Sequence, residues 1–409
     1  MDKCRLLWIS TCTPVSGLRH AGGVNFKHDF DNISRDPRFD VTIISISDDG
    51  QKEKTEKELD WVKHNVIYLE HSLKSKFQKL ANLESRYNIW NRNACLISNY
   101  CEKRILDICK ELKLVQHYNP EVIILEYTGC VVLAPELKKI FPDARYVAKE
   151  HDVTYIGYER KKDYYKGFKG WVWNEKYKHE KKVELNALRE CNVIVPHNPH
   201  NFDVLLSDGI RREQLYWYVP YYQDLSDCKR KSNQKDILFY GAMARPENYL
   251  SCIWFIEKVM PLIEDLDIRF VILGSNPPES LQKYESDRIH ITGFVEDIKP
   301  FFENSMCLVA PLVLGAGIKI KILEALSSGL VVLTNDLGIE GIEAVSEKEY
   351  IHCTTEDEYG DWIRKIGNGL VDCTQMGKRA KELVQKQYNV ESSFEKYKNK
   401  LLSVLKDYE

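Results

Sequence analysis

The chain has 409 residues, too many for one ordinary core, and so predicts two domains of about 200 residues each. Its 44% hydrophobic and 29% charged content is globular, and a net charge of −3 gives no general signal for nucleic acid as a partner. No run reaches ~18 apolar residues, the basic start precedes too short an apolar stretch for a secretory signal, and the 12 cysteines form no Cys-x-x-Cys pair; a cytoplasmic protein with buried thiols and no zinc is expected.

Residues 6–10 form a first apolar strand, and 11–23 a loop ending in His20-Ala21-Gly22-Gly23, ahead of a helix through Phe26 and Phe30. Thr11-Cys12-Thr13-Pro14 stand where a dinucleotide fold places Gly-x-Gly-x-x-Gly, so this is not that fingerprint. Gly22 and Gly23 serve a ligand or only an N-cap turn. Residues 41–45 read as the second strand, 48–60 as a charged loop with a helix, and 72–113 alternate apolar and basic positions at helical spacing. Strands at 122–125 and 145–148 flank a helix around 134–140. Strands alternating with helices predict an α/β class with a parallel sheet covered on both faces, and functional side chains at the carboxyl ends of the strands. Tyr127-Thr128-Gly129 close one such strand and Lys149-Glu150-His151-Asp152 another.

Residues 159–182 hold nine Lys/Arg against four acids, with Tyr164, Tyr165, Phe168, Trp171, Trp173 and Tyr177 interleaved. Such a stretch suits an anionic membrane surface or is a solvated helix-loop. A strand at 191–196 and a helix at 198–208 follow, 216–220 end the first domain, and the polar, charged 224–235 read as a linker. The second domain opens with a strand at 237–240, the loop Gly241-Ala242-Met243-Ala244-Arg245-Pro246-Glu247-Asn248, and an apolar helix. Strands at 270–273 and 289–293 come next, the latter running into Phe294-Val295.

Residues 307–344 carry the strongest signal. A strand at 307–310 enters a turn with Gly315 and Gly317, then a helix over 318–327 stopped at Gly329, then a strand at 330–333. The first loop delivers chain into a helix N-terminus, where unpaired amides favour an anion. Lys319 and Lys321 add cations in the first turn, where they oppose the helix dipole and therefore point to something negative, a phosphate. Glu324 shares the face of Lys321, where its carboxylate can accept hydroxyl hydrogen bonds. At the end of the chain Phe394, Tyr397, Leu401 and Leu405 form one apolar stripe on a final helix.

The pieces Ala310-Pro311-Leu312, Gly315-Ala316-Gly317-Ile318-Lys319, Leu323-Glu324-Ala325, Gly329-Leu330-Val331-Val332 and Gly338-Ile339-Glu340-Gly341 resemble retaining glycosyltransferases of family 4. Of that family's two glutamates in this block, the second is Glu324 and the first position holds Ala316, as in a subgroup with Gly-x-Gly-Ile-Lys. The resemblance implies the GT-B fold, two Rossmann-like domains facing a central cleft. Residues 1–223 would be the acceptor side, 236–390 the nucleotide-sugar-binding domain, and 391–409 a helix packing back towards the first.

It also implies roles. Arg245 matches a phosphate-binding arginine while the partner lysine position falls on Glu247, leaving Lys319 or Lys321 to replace it. The amides of Gly317 and Ile318 would meet the diphosphate, Glu324 the ribose, the backbone of Phe294 and Val295 the nucleobase, and His151 the donor sugar. Gly22 and Gly23, Gly241 and Gly315 complete the expected donor-binding set, with His151, Arg245 and Lys319 as the catalytic one. The implied reaction moves a hexose-type sugar from a UDP- or GDP-sugar to a glycan or lipid-linked hydroxyl, with retention and without metal or other cofactor, in cell-surface polysaccharide or glycolipid synthesis. Its rivals are an inactive GT-B scaffold that binds a partner glycosyltransferase, and a GT-B epimerase or phosphorylase.

Overall fold

The computed structural model describes residues 3–18, 21–69, 96–231, 234–315 and 317–404. His20, Ala316, Leu405 and most of the helical pattern expected over 72–113 lie outside them. The chain divides into two units, Met1–Tyr218 with Ser392–Glu409, and Val219–Glu391.

The first unit holds a six-stranded sheet of β1 (Cys4–Ser10), β2 (Phe39–Asp48), β3 (Lys63–Leu69), β4 (Val122–Glu126), β5 (Arg145–Glu150) and β6 (Val193–Pro196). Their order is β3-β2-β1-β4-β5-β6, with every neighbour parallel. Successive side chains alternate across the sheet. Trp8, Ile124, Val147 and Val195 therefore pack with Phe26 and Phe30 in one layer, while Leu7, Ile9, Leu125 and Ala148 pack with Ile105 and Leu188 in the other. Burial on both faces is what makes the central strands continuous apolar runs. The edge strand β3 is mostly half-exposed and opens on the polar Lys63, His64 and Asn65, which is why its sequence gives no clear strand pattern.

The final helix, Val390–Ser403, lays Phe394, Tyr397 and Leu401 into the first unit's core. Lys398 to Asp36 (3.1 Å) and Arg38 to Glu395 (2.9 Å) fasten its polar side. The segment expected as linker is instead tied to the second unit. Leu225 N donates to Ser327 Oγ (3.0 Å) and Lys229 N to Glu303 Oε1 (2.9 Å), because irregular backbone must find its partners where it runs.

The second unit repeats the plan with β7 (Asp236–Tyr240), β8 (Arg269–Leu273), β9 (Ile289–Gly293), β10 (Ser305–Ala310), β11 (Val331–Thr334) and β12 (Ile351–His352). The order β12-β11-β10-β7-β8-β9, read from its other edge, is that of the first sheet. Each sheet reverses direction of winding once, between β1 and β4 and between β7 and β10. In open α/β sheets the crevice at the carboxyl ends of those strands is where ligands sit.

Three local expectations change. Gly22 and Gly23 lie inside the first turn of the helix Ala21–Ser34 rather than in the loop before it. The helix after β10 starts at Ile320, so Lys319 occupies its N-cap and Gly317 and Ile318 lie outside it. The basic aromatic stretch folds into two helices, Thr154–Tyr164 and Gly167–Arg189, packed on each other. No described helix is long and apolar enough to cross a membrane.

Candidate functional site

At the winding reversal of the second unit, the turns leaving β7 and β8 run in contact. A Cβ on Gly274 would stand 1.7 Å from the carbonyl oxygen of Gly241, so no larger residue fits. The β7 turn then reaches Arg245, the N-cap of the helix Pro246–Lys258, with proline in its first turn. Asn248 in that turn donates to the Ala242 carbonyl (2.9 Å), which leaves its amide oxygen to face the β10 side.

The turn leaving β10 carries Gly315 at φ 138° and Gly317 at φ 75°, backbone that favours glycine. Beyond it, Lys321 places its ammonium 2.7 Å from Asn248 Oδ1 and 4.4 Å from the centre of the Phe239 ring. The same ammonium is 3.0 Å from where a Gly241 Cβ would be, so it stands directly on the β7 turn. Burial, together with the nearby charges of Arg245 and Lys319 and against the pull of Cys252, brings the Lys321 amine down to about 7. Lys319 is buried and donates to the Gly317 carbonyl. Arg245 is more open and lies 3.6 Å from Glu247, the residue at the expected lysine position. Ile318 is half-buried beside them.

Glu324, one turn further along the helix, accepts from Gln223 N at 3.3 Å through Oε1. Its Oε2 is buried without a hydrogen-bond partner. Burial pushes this carboxyl up to about 8, against the pull of Gln223 and Lys321. Gly241, Arg245, Gly315, Gly317, Lys319, Lys321 and Glu324 thus gather at β7 and β10. Phe294, exposed, and Val295, half-buried, follow β9, two strands away from β7. Asn248 was not singled out from the sequence. Its signal was a polar residue in the first turn of an otherwise apolar helix.

In the first unit, His151 follows β5, and its Nε2 lies 2.5 Å from Glu126 Oε1 at the end of β4. Its ring stacks on Tyr127 (4.3 Å between centres), and His197 meets it edge-on (4.4 Å). Behind them Lys149, wholly buried, bonds Asp29 and stands 3.4 Å from Glu126. Burial raises Glu126 to about 7 against the pull of Lys149. Sequence reading passed over Glu126, Lys149, Asp29 and His197. The signal was a charged residue closing each of two apolar strands.

On the opposite face of β5, Glu150 bonds Thr128 Oγ1 (2.5 Å), and Glu184 accepts from the backbone of Thr154 (2.9 Å) and Tyr155 (3.1 Å). Glu180 lies on the same helix as Glu184. Burial drives all three carboxyls upward, Glu150 to about 8 and Glu180 to about 7.

Two Asp-x-Asp triplets occur, Asp29-Phe30-Asp31 and Asp265-Leu266-Asp267, but each aspartate already has a cation: Lys149, Lys27, Arg364 and Lys235 in turn. Among the described residues no group of three or more His, Cys, Asp or Glu is arranged to hold a metal ion. In the helix pair over 154–189, Phe168 and Trp171 are exposed and stacked at 5.7 Å, while Lys161 and Lys162 lie over the rings of Trp173 and Tyr177.

Residues 234–371 match the family described as "Glycosyl transferases group 1". The chain is 23% identical over 182 residues to an uncharacterized 44.6 kDa protein in the cps region of Klebsiella pneumoniae, a match spanning 42% of this chain and 45% of that one. Sucrose-phosphate synthase from Thermosynechococcus elongatus superposes with a TM-score of 0.74 at 13% identity, over 99% of this chain and all (100%) of the other. Anabaena Alr3699/HepE, solved in complex with UDP, does so with a TM-score of 0.67 at 12% identity, over 98% of this chain and 100% of its own. The chain is therefore a two-domain α/β protein of the GT-B fold whose second unit matches the glycosyl transferases group 1 family, findings that support a glycosyltransferase.

Proposed function

We propose that the protein transfers a sugar from a nucleoside diphosphate donor, a UDP- or GDP-sugar, to a hydroxyl acceptor with retention at the anomeric carbon. The observation that carries this reading is the pairing at the second unit's winding reversal. Three cations and two glycine turns stand beside Glu324, whose Oε2 is buried with nothing bonded to it. A diphosphate answers the cations, and a ribose hydroxyl answers the Glu324 carboxyl. Charge develops on the departing diphosphate during transfer, and Lys321, Lys319, Arg245 and the amides of Gly317 and Ile318 are the groups available to stabilise it without a metal. His151 of the first unit is the proposed partner for a donor-sugar hydroxyl, and the leaving phosphate takes the acceptor's proton. The neighbour solved with UDP-glucose supports a nucleotide-sugar donor, and the relative in a cps region is in keeping with a cell-surface polysaccharide product.

A lipid-linked acceptor fits the exposed Phe168 and Trp171 among lysines, an arrangement suited to an anionic bilayer interface. A second reading, a GT-B scaffold without activity, is favoured by Glu247 paired to Arg245 where a lysine was expected. Calorimetry and thermal shift with UDP, GDP and their hexose conjugates, followed by assay of released nucleoside diphosphate, separate the two. Binding with release, and an α-linked product from an α-linked donor, supports transfer. Binding to none of them overturns the donor site, and binding without release under any acceptor leaves the scaffold.

A further inference from the structure

Along β5 and beyond it, Lys149 and His151 share one face of the sheet and Glu150 the other, by the alternation of a strand. That shared face also receives Glu126 from β4 and Asp29 from the helix Ala21–Ser34. The result is a chain of contacts, Asp29 to Lys149 to Glu126 to His151, in which the first three side chains have no solvent exposure. Isolated buried charge is expensive, and an apolar set of the same volume is often as stable, so packing alone gives no reason to keep these groups.

The contacts of Glu126 give one. Its Oε2 accepts from the Trp8 indole N–H (2.8 Å), and its Oε1 faces both the Lys149 ammonium (3.4 Å) and His151 Nε2 (2.5 Å). Indole and ammonium can only donate, so both favour the carboxylate form of Glu126, the form that accepts on each oxygen, against the burial that opposes it. An acceptor opposite Nε2 places the ring hydrogen on Nε2. We propose that Glu126, backed by Lys149 and Asp29, positions His151: it holds the imidazole as the Nε2–H form and raises its affinity for a second proton.

Among the described residues, the other groups seen against the ring do not supply that hold. His197 presents an edge, Asn25 approaches the other ring of that pair (3.5 Å to His197 Nδ1), and Tyr127 stacks on the face while its hydroxyl meets Cys12 (3.5 Å). His28 and Tyr218 bond Asp29 rather than His151. Glu126 is the one carboxylate among the described contacts of the His151 ring.

The consequence for sugar transfer rests on the proposed role of His151, but the test of positioning does not. Long-range 1H–15N spectra of protein labelled in histidine rings, with the His151 signals identified by their loss in His151→Asn, report tautomer and titration midpoint without any donor present. In the native protein neutral His151 shows the hydrogen on Nε2. Glu126→Gln lowers its midpoint by about one unit or more, the size of a nearby charge's effect. Trp8→Phe, which removes a donor that favours the carboxylate, lowers it in the same direction and serves if Glu126→Gln fails to fold. A hydrogen on Nδ1, or an unchanged midpoint in the folded variants, overturns the proposal. Where transfer is measurable, the acid limb of the kcat profile moves with the midpoint while the donor KM stays within about 2-fold; an altered titration with no transfer in the native protein would refute the function and leave the positioning intact.

Discussion

Lys321→Met puts the donor site to its sharpest test, because it predicts opposite changes in stability and in binding. The amine falls from 10.5 to about 7 on folding, chiefly through burial. Each pKa unit is about 1.4 kcal/mol, so holding this charge in the folded apo protein costs at most about 5 kcal/mol, less what the half-buried side chain recovers from solvent. Methionine keeps the contact with Phe239 and removes that term, but leaves Asn248 Oδ1 without its 2.7 Å donor, worth about 1–3 kcal/mol. The apo variant should therefore be as stable as the native protein or more stable by about 1–2 kcal/mol in urea unfolding at pH 7. A charge-assisted bond to phosphate is worth about 1.5–3 kcal/mol, so UDP or GDP should bind roughly 10- to 100-fold more weakly by calorimetry. A less stable variant that binds nucleotide unchanged would refute the placement of Lys321 as the diphosphate's deep cation.

Diphosphate binding at pH 8 should draw a proton onto Lys321, which is largely neutral there; calorimetry in buffers of different ionisation enthalpy measures the uptake, and Lys321→Met should abolish most of it. Gly274→Ala should destabilise the second unit by about 3 kcal/mol or more, since its Cβ would stand 1.7 Å from the Gly241 carbonyl; an unchanged urea midpoint would refute that contact. Glu180 has its folded pKa raised from 4.5 to about 7, so the native protein loses stability at this position as pH rises through that value, and Glu180→Gln should gain on it by about 1–2 kcal/mol between pH 6 and 8.5 in paired unfolding curves.

How much of this was open to reading from the chain alone depends on the distance over which each feature is encoded. The strands and helices around 307–333 follow from local periodicity and from the glycine that ends a helix, so their places shift by only a residue or two. The α/β alternation fixes a parallel sheet, and with it the carboxyl ends as the place for Gly241, Arg245, Gly315, Lys319 and His151. The capping box of Thr355 and Glu358, which opens the helix Glu356–Gly367, was equally local and was passed over. Partners remote in sequence were not open in the same way. Asn248 meets Lys321 across 73 positions and Asp29 meets Lys149 across 120, and no pattern within either segment announces the other. Strand order brings those pairs together, and burial then gives Lys321 and Glu126 proton affinities that neither residue type has in water. The sequence by itself determined on which edge of each sheet the expected site residues stand. Only the tertiary structure decided which of them touch, because that depends on desolvation and on contacts made after the sheet has assembled.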